Sequence, residues 1–211
     1  ADAIGVRCED MVFSQQTHTS NVRVVTEADR GMGITRPLAW QDVDGLVTDV
    51  PGICLVTFYA DCVPLFFVDP VKKVIGLSHS GWRGTVAKIG KETVRKMREV
   101  YGCDPGDILA SVGPSICQDC YEVSEEVIRQ FQEHFPEKDR ASLFYKKENG
   151  KYQLDLWRAN EMIFLESGIK TEHIAVTNIC THCNSEVLYS HRAMGDQRGN
   201  LAAFLALNEE T

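Results

Sequence analysis

The sequence predicts an α/β (α+β) fold in which a mixed sheet, or two packed sheets, is flanked by helices. Strand-like segments are frequent along the chain, whereas three segments show helical periodicity. The strands also follow one another in runs, without the regular strand–helix alternation of a Rossmann-like fold. A length of 211 residues fits a single domain, and we treat residues 1–211 as one.

Eight segments have the apolar, β-branched composition of strands. They lie at 22–26, 46–49, 53–59, 65–69, 74–79, 108–112, 173–177 and 201–207. The three segments with helical spacing are 85–101, 124–135 and 156–167. Asp155 is a plausible N-cap for the last of them, and Gly168 a plausible stop.

Bulk properties exclude several classes of protein. A formal net charge of -8 with no Lys/Arg-rich run argues against nucleic acid binding. No apolar stretch approaches the length of a membrane span, and no secretory signal is visible. Eight cysteines in a chain this long indicate reduced thiols, of which a few are candidates for metal binding, and a cytoplasmic location. Because the chain opens with Ala1, we expect that an upstream segment is missing.

The most informative stretch is a predicted hairpin around the turn residues Asp69 and Pro70. If its strands pair symmetrically about the turn, partner positions sum to 141, so Cys62 lies opposite His79. Directly opposite residues have Cβ atoms about 4.5–5.5 Å apart, which lets a thiolate and an imidazole reach one zinc ion. A longer loop would shift this register and turn one side chain away.

A third candidate ligand is His18, just before a valine-rich strand. The set His18, Cys62 and His79 leaves one position open on a tetrahedral ion, as a catalytic zinc requires. The loop after His79 reads Ser80-Gly81-Trp82-Arg83-Gly84-Thr85, and its backbone N–H groups with Arg83 are suited to an anion.

Two further cysteine pairs, Cys117-x-x-Cys120 and Cys180-x-x-Cys183, leave a non-enzymatic alternative open. Four cysteines can hold a structural zinc, although a separation of about 60 residues is long for a zinc ribbon. The second pair also precedes the segment Tyr-Ser-His-Arg.

Several of these motifs together resemble the YfiH/YlmD family, also called laccase-domain or polyphenol-oxidase-like proteins. The matching segments are QQTHTSNV (15–22), DVDGLVTDVPG (42–52), FYADCVPLFFVDP (58–70), IGLSHSGWRGT (75–85), SVGPSICQDCYEV (111–123) and CTHCNSEVLYSHR (180–192). The resemblance implies a four-layer α/β/β/α sandwich of mixed sheets. It also implies metal ligands at His18, Cys62 and His79, and an upstream pocket-forming segment that this sequence lacks.

The resemblance further implies a zinc-dependent purine nucleoside phosphorylase acting on adenosine, inosine, guanosine and methylthioadenosine, with adenosine deaminase activity. Its partners would be purine nucleosides and phosphate, and the protein a monomer or small homo-oligomer. Besides Cys62 and His79, we predict Asp61 as a catalytic proton carrier. Arg83, Arg192 and Gln16 are the predicted substrate-binding residues.

Two other reactions stay open at this stage. The family's older label is a copper polyphenol oxidase, but six histidines are too few for a multicopper cluster, although a single copper can occupy such a site in vitro. Alternatively, Cys62 is a nucleophile with His79 as its base, which gives an amidohydrolase. A thiolate bound to zinc is a poor nucleophile, so metal content separates these hypotheses.

Overall fold

The computed structural model describes residues 2–208, and within that range the chain forms twelve strands and six α-helices. The strands are β1 Met11–Phe13, β2 Val22–Val24, β3 Gly45–Thr48, β4 Cys54–Tyr59, β5 Val63–Asp69, β6 Val74–Ser80, β7 Leu109–Val112, β8 Glu122–Val123, β9 Phe144–Lys146, β10 Tyr152–Leu154, β11 Ile174–Val176 and β12 Leu201–Ala206. The helices are α1 Trp82–Val86, α2 Ile89–Tyr101, α3 Glu125–His134, α4 Glu137–Leu143, α5 Leu156–Glu166 and α6 His191–Met194.

The strands form three sheets. A large mixed sheet has the order β11-β7-β5-β6-β3-β2, and a small mixed sheet has the order β1-β4-β12. A third, antiparallel sheet has the order β8-β10-β9, and its strands have only two or three residues each. All eight predicted strands are present, which confirms the mixed α/β class. The strands that sequence patterns missed have only two or three residues each, too few to show a period.

The core consists of two apolar layers on the two faces of the large sheet. On one face, Leu65 and Phe67 of β5 pack with α2, α3 and α5 residues such as Phe131 and Phe164. On the other face, Leu77 of β6 packs against the small sheet. Beyond the small sheet, Val6, Met11, Cys54 and Val56 share a further cluster. Strands β5 and β6 are therefore covered on both sides, which explains their nearly continuous apolar sequence.

In the hairpin β5–β6, the observed register differs from the predicted register by two residues. Asp69 pairs with Val74 and Pro64 pairs with His79, so partner positions sum to 143 and Cys62 precedes the strand. The reason is a four-residue loop: Asp69 accepts hydrogen bonds from the backbone of Val71 and Lys72, and Lys73 adopts a left-handed φ of 56°. A shift by two preserves the face that each side chain occupies.

The segment 85–101, predicted as one helix, belongs to two helices in the structure. α1 ends at Val86 and α2 begins at Ile89, with Lys88 between them in the left-handed region (φ 56°). The other two predicted helices are confirmed within two residues at each end. None of the helices in 2–208 is both long and apolar enough to cross a bilayer.

The packing of Phe67 offers a test of this core. Phe67 is fully buried and its ring meets that of Phe164 edge to face at 5.2 Å. We expect Phe67→Ala to lower the free energy of unfolding by about 3–5 kcal/mol, measured by urea denaturation. The control is Val71→Ala in the hairpin loop, where 66% exposure predicts a change within about 0.5 kcal/mol. Equal effects of the two variants would contradict the described packing.

Candidate metal centre and cavity

The three predicted ligands come together. One nitrogen each of His18 and His79 and the sulfur of Cys62 lie within 4.8 Å of one another. The Cys62 Sγ to His18 Nε2 distance is 3.8 Å. A tetrahedral zinc at 2.3 Å from sulfur and about 2.0 Å from nitrogen would separate these atoms by about 3.6 Å. The donor set therefore fits zinc without a rearrangement of the backbone.

Each ligand comes from a different kind of segment. His79 lies in the central strand β6 and is 3% exposed. Cys62 lies in the bend between β4 and β5, and His18 in the loop between β1 and β2. His18 has a left-handed φ of 67° and is solvent-exposed. The rigid strand thus supplies the buried ligand, while His18 closes the site from the solvent side.

Asp44 orients two of the candidate ligands, although sequence analysis did not single it out. Its fully buried carboxylate accepts a hydrogen bond from the His79 ring at Nδ1 (2.9 Å). It also accepts the backbone N–H groups of Thr17, His18 and Thr19 at 2.8–3.1 Å. With Nδ1 engaged, His79 has Nε2 for a metal, the arrangement that fixes metal-binding imidazoles. Burial raises the pKa of Asp44, but these hydrogen bonds outweigh it and lower the pKa below its usual value.

Gly81, just after β6, leaves room for the ligands. A Cβ at this position would lie 2.7 Å from His18 Cδ2 and 3.0 Å from Cys62 Sγ. A larger residue would clash with both side chains. The absence of a side chain at Gly81 therefore leaves the space that His18 and Cys62 occupy.

Cys62 and His79 form a polarised pair. Burial raises the pKa of the Cys62 thiol, but hydrogen bonds and charge from His18 and His79 lower it to about 6. Burial lowers the pKa of His79, whereas Asp44 and Cys62 raise it to about 9. At neutral pH the side chains are thiolate and imidazolium, so a metal ion would displace a proton from the ring.

The three ligands lie at the wall of a cavity of about 550 Å³, within the range of about 300–1,000 Å³ that is usual for small-molecule sites. Its other lining residues combine aromatic, amide and cationic side chains: Ser14, Gln15, Gln16, Phe58, Tyr59, Ala60, Asp61, Ile116, Tyr121, Leu156, His191, Arg192, Arg198 and Asn200. The cavity lining is therefore apolar in part and carries two arginines, Arg192 and Arg198, and one carboxylate, Asp61.

Comparison with known proteins shows the family of the chain. Residues 1–208 match the family model described as multi-copper polyphenol oxidoreductase laccase. The chain belongs to this laccase family. It is 38% identical to the Bacillus subtilis protein named purine nucleoside phosphorylase YlmD, over 99% of this chain and 75% of that relative. A protein named adenosine deaminase RL5, from an unknown prokaryotic organism, is 36% identical over 93% of this chain and 74% of its own length.

Solved structures of laccase-family proteins have the same fold. The crystal structure of Bacillus licheniformis YfiH has a TM-score of 0.94 at 34% identity, covering 99% of this chain and 78% of that one. YlmD from Geobacillus stearothermophilus has a TM-score of 0.92 at 33% identity, covering 99% and 77%. These matches confirm the resemblance to the YfiH/YlmD family and the predicted fold class.

The laccase-family name implies a multicopper centre, and the donors of this chain do not fit one. In residues 2–208, two groups can hold an ion: His18 with Cys62 and His79, and a group of four cysteines. The first offers ligands for one ion, and the second has no imidazole. A single copper can compete for the first group, since it has two His and one Cys.

Asp61 lines the cavity, but both of its carboxylate oxygens are engaged. They accept the Thr181 hydroxyl and the Arg192 backbone N–H, each at 2.7 Å. Asp61 has a left-handed φ of 84° and lies in the bend before β5. The rule that neighbouring side chains of a strand point to opposite faces therefore does not apply to Asp61 and Cys62. Its observed contacts join the Cys62 bend to two distant segments.

The predicted substrate residues occupy different places. Gln16 lines the cavity, but its amide oxygen accepts the Phe58 backbone N–H and its nitrogen donates to the Phe58 carbonyl. Its neighbour Gln15 has a buried side-chain oxygen without a hydrogen-bond partner. Sequence reasoning chose between two adjacent glutamines without a signal that separates them.

Among the arginines, Arg192 lines the cavity together with Arg198, which sequence analysis did not single out. Arg83 is exposed, stacks over the Trp82 ring at 4.2 Å and lies outside the cavity lining. The role of Arg83 in substrate binding therefore stays a prediction, because its side chain does not line the cavity.

The contacts of Asp44 lead to a prediction about metal affinity. Asp44→Asn keeps the shape of the side chain but removes the charge that His79 and the loop 17–19 face. We expect a 10–100-fold weaker affinity for zinc, measured by competition with a chromophoric chelator. Asp42→Asn is the control, because that residue is exposed and bonds to Thr17 and not to a ligand ring. Equal affinities of Asp44→Asn and wild type would refute the orienting role.

The pKa of Cys62 predicts its reactivity in metal-free protein. Because its thiolate is present above about pH 6, we expect alkylation by iodoacetamide to reach half its maximal rate near pH 6. Cys103 is the internal control, since burial raises its pKa to about 12. Peptide mapping by mass spectrometry gives both rates. His79→Ala should move the Cys62 midpoint upward, and an unchanged midpoint would contradict the pairing.

Proposed function

We propose that this protein is a zinc-dependent purine nucleoside phosphorylase that also deaminates adenosine. The observation that carries the proposal is a two-His, one-Cys site with an open coordination position on the wall of a cavity that also carries two arginines. The names of the relatives support the reaction class. Adenosine, inosine, guanosine and methylthioadenosine are the proposed substrates. All eight cysteines are free thiols, which fits a reducing compartment such as the cytoplasm.

His18, Cys62 and His79 would hold the zinc ion. When bound, zinc supplies a Lewis acid that stabilises anionic charge and lowers the pKa of a water molecule beside the cavity. The single thiolate leaves the site with a net charge of about +1 when the two imidazoles are neutral. That charge favours an anionic reactant such as phosphate.

Phosphorolysis breaks the bond between C1′ and the purine nitrogen while a phosphate oxygen bonds to C1′. The task of the protein is to orient phosphate and to stabilise developing charge. Arg192 and Arg198 suit this task because both guanidinium groups are already oriented. Arg192 donates to the carbonyls of Cys120 (3.3 Å) and Glu122 (2.9 Å), and Arg198 donates to Asn200 and to His191.

The purine base would bind among the aromatic and amide side chains. Tyr121 and Phe58 line the cavity and offer ring surfaces. Gln15 also lines the cavity and carries a side-chain amide. For deamination, the proton carrier that we predicted is Asp61; its occupied oxygens favour a positioning role for it.

The test removes the ligands one at a time. We expect Cys62→Ala and His79→Ala to lose bound metal and to release hypoxanthine from inosine and phosphate at least about 100-fold more slowly. Cys8→Ala and His134→Ala are matched controls, since these residues lie outside both ion-binding groups and outside the cavity. Chromatography of the base and elemental analysis of the protein give both readouts. Full turnover by a metal-free variant would eliminate the scheme.

A second candidate is a Cys-His amidohydrolase, which the low pKa of Cys62 and the Asp44–His79 hydrogen bond favour. In that reaction Cys62 attacks an amide carbonyl, His79 carries the proton and Asp44 orients His79. Amide hydrolysis that survives chelation and stops on alkylation of Cys62 would favour it over the phosphorylase. A copper polyphenol oxidase would instead lose activity on copper removal and regain it with copper alone.

A further inference from the structure

Four cysteines from two distant segments converge at a second place in the molecule. The sulfurs of Cys117, Cys120, Cys180 and Cys183 all lie within 4.8 Å of one another, although 63 residues separate the two pairs. The Cys120 and Cys183 sulfurs are 3.4 Å apart. Ordinary core packing does not explain the group, because Cys180 is buried, Cys117 and Cys120 are half-buried, and Cys183 is exposed.

The local backbone presents the sulfurs toward a common point. Cys117 is the N-cap of a single 3₁₀ turn, Gln118–Cys120, whose last residue is Cys120, and Cys180 immediately precedes a turn region, 181–187, that contains Cys183. The Cys180 sulfur accepts the backbone N–H groups of Cys117 (3.3 Å) and Cys183 (3.4 Å). Hydrogen bonds from N–H groups to sulfur favour the thiolate, which is the form that binds metal. One donor comes from each Cys-x-x-Cys turn, so the bonds also tie the two turns together.

The separation of the sulfurs suits a tetrahedral ion. Four thiolates at 2.3 Å from zinc would lie about 3.8 Å from one another, and the observed separations of 3.4 Å and at most 4.8 Å span this value. Four sulfurs also complete the coordination shell and leave no position for a reactant. The chemistry of the group is therefore that of a structural site.

We propose that Cys117, Cys120, Cys180 and Cys183 bind a second zinc ion, which is structural and separate from the ion at His18, Cys62 and His79. Binding converts four thiols into four thiolates and releases their protons, with no change of oxidation state. The resulting charge of about -2 is partly offset by Arg192, whose guanidinium donates to the Cys120 carbonyl. This site goes beyond the proposed function and does not depend on which reaction the cavity carries out.

The second ion would fasten one wall of the cavity. Tyr121 follows Cys120 directly, and the Arg192 guanidinium, 5.4 Å from the Tyr121 ring, donates to the carbonyls on both sides of that residue. Thr181, between the two cysteines of the other pair, donates its hydroxyl to Asp61. The four-cysteine group therefore joins the segments that carry Tyr121, Arg192 and Asp61.

Metal analysis of reduced, full-length protein loaded with zinc and dialysed tests the site. We expect two zinc equivalents in wild type and one in Cys62→Ala, with X-ray absorption of that variant showing sulfur alone at about 2.3 Å. Cys183→Ser, at the exposed ligand, should keep one equivalent with a mixed nitrogen and sulfur shell. Cys8→Ser is the matched control and should keep two. Chelation of Cys62→Ala should lower its unfolding midpoint, because the remaining ion binds only the folded state.

Several outcomes would overturn the proposal. Cys62→Ala protein without zinc, or wild type and Cys183→Ser with equal zinc content, would exclude the second ion. A Cys120–Cys183 disulfide, found by mass spectrometry in protein purified anaerobically, would mean that the group is a redox pair. If Cys183→Ser does not fold, Cys120→Ser and the sulfur shell of Cys62→Ala decide the question. Failure of inosine phosphorolysis leaves all these readouts unaffected.

Discussion

The arrangement of the candidate metal site depends on the buried carboxylate of Asp44. One side chain accepts hydrogen bonds from three consecutive backbone N–H groups of the loop 17–19 and from the ring of His79. The loop bears His18, so the same carboxylate determines the position of two ligands that are 61 residues apart in sequence. The negative charge is stable in the interior because every one of these donors faces it.

The rest of the centre is arranged around this anchor. Backbone conformations that most residues avoid occur at His18 and Asp61, both with positive φ, and they turn the loop and the bend toward β6. Gly81 has no side chain where His18 and Cys62 approach the backbone. Strand β6, which carries His79, is covered on both faces by the core. The arrangement of the three candidate ligands therefore rests on the packed core as well as on loops.

The two cysteine-containing sites have opposite characters, and their positions make them complementary. The first has two imidazoles, one thiolate and an open cavity beside it. The second has four thiols, and one of them, Cys120, directly precedes Tyr121 and accepts a hydrogen bond from the Arg192 guanidinium at its carbonyl. A closed, all-sulfur site suits a wall that has to stay in place, whereas an open site suits chemistry.

Sequence patterns were sufficient for eight of the twelve strands in residues 2–208 and for the two later helices, because periodicity is a local signal. Ligand chemistry singled out His18, Cys62 and His79, whose donor atoms the fold brings within 4.8 Å of one another. The predicted hairpin register was wrong by two residues. The turn residues Asp69 and Pro70 predicted a two-residue loop, whereas the observed loop has four residues and ends at Lys73. No sequence pattern marks Asp44, Gln15 or Arg198 as site residues. Only the fold shows what surrounds each of them. The meeting of the two Cys-x-x-Cys pairs is of the same kind: the spacing suggested pairs, and the parallel bridge between Ser115 and Cys180 brings them together. Contacts between residues distant in the chain depend on packing of the whole core, which no local pattern encodes.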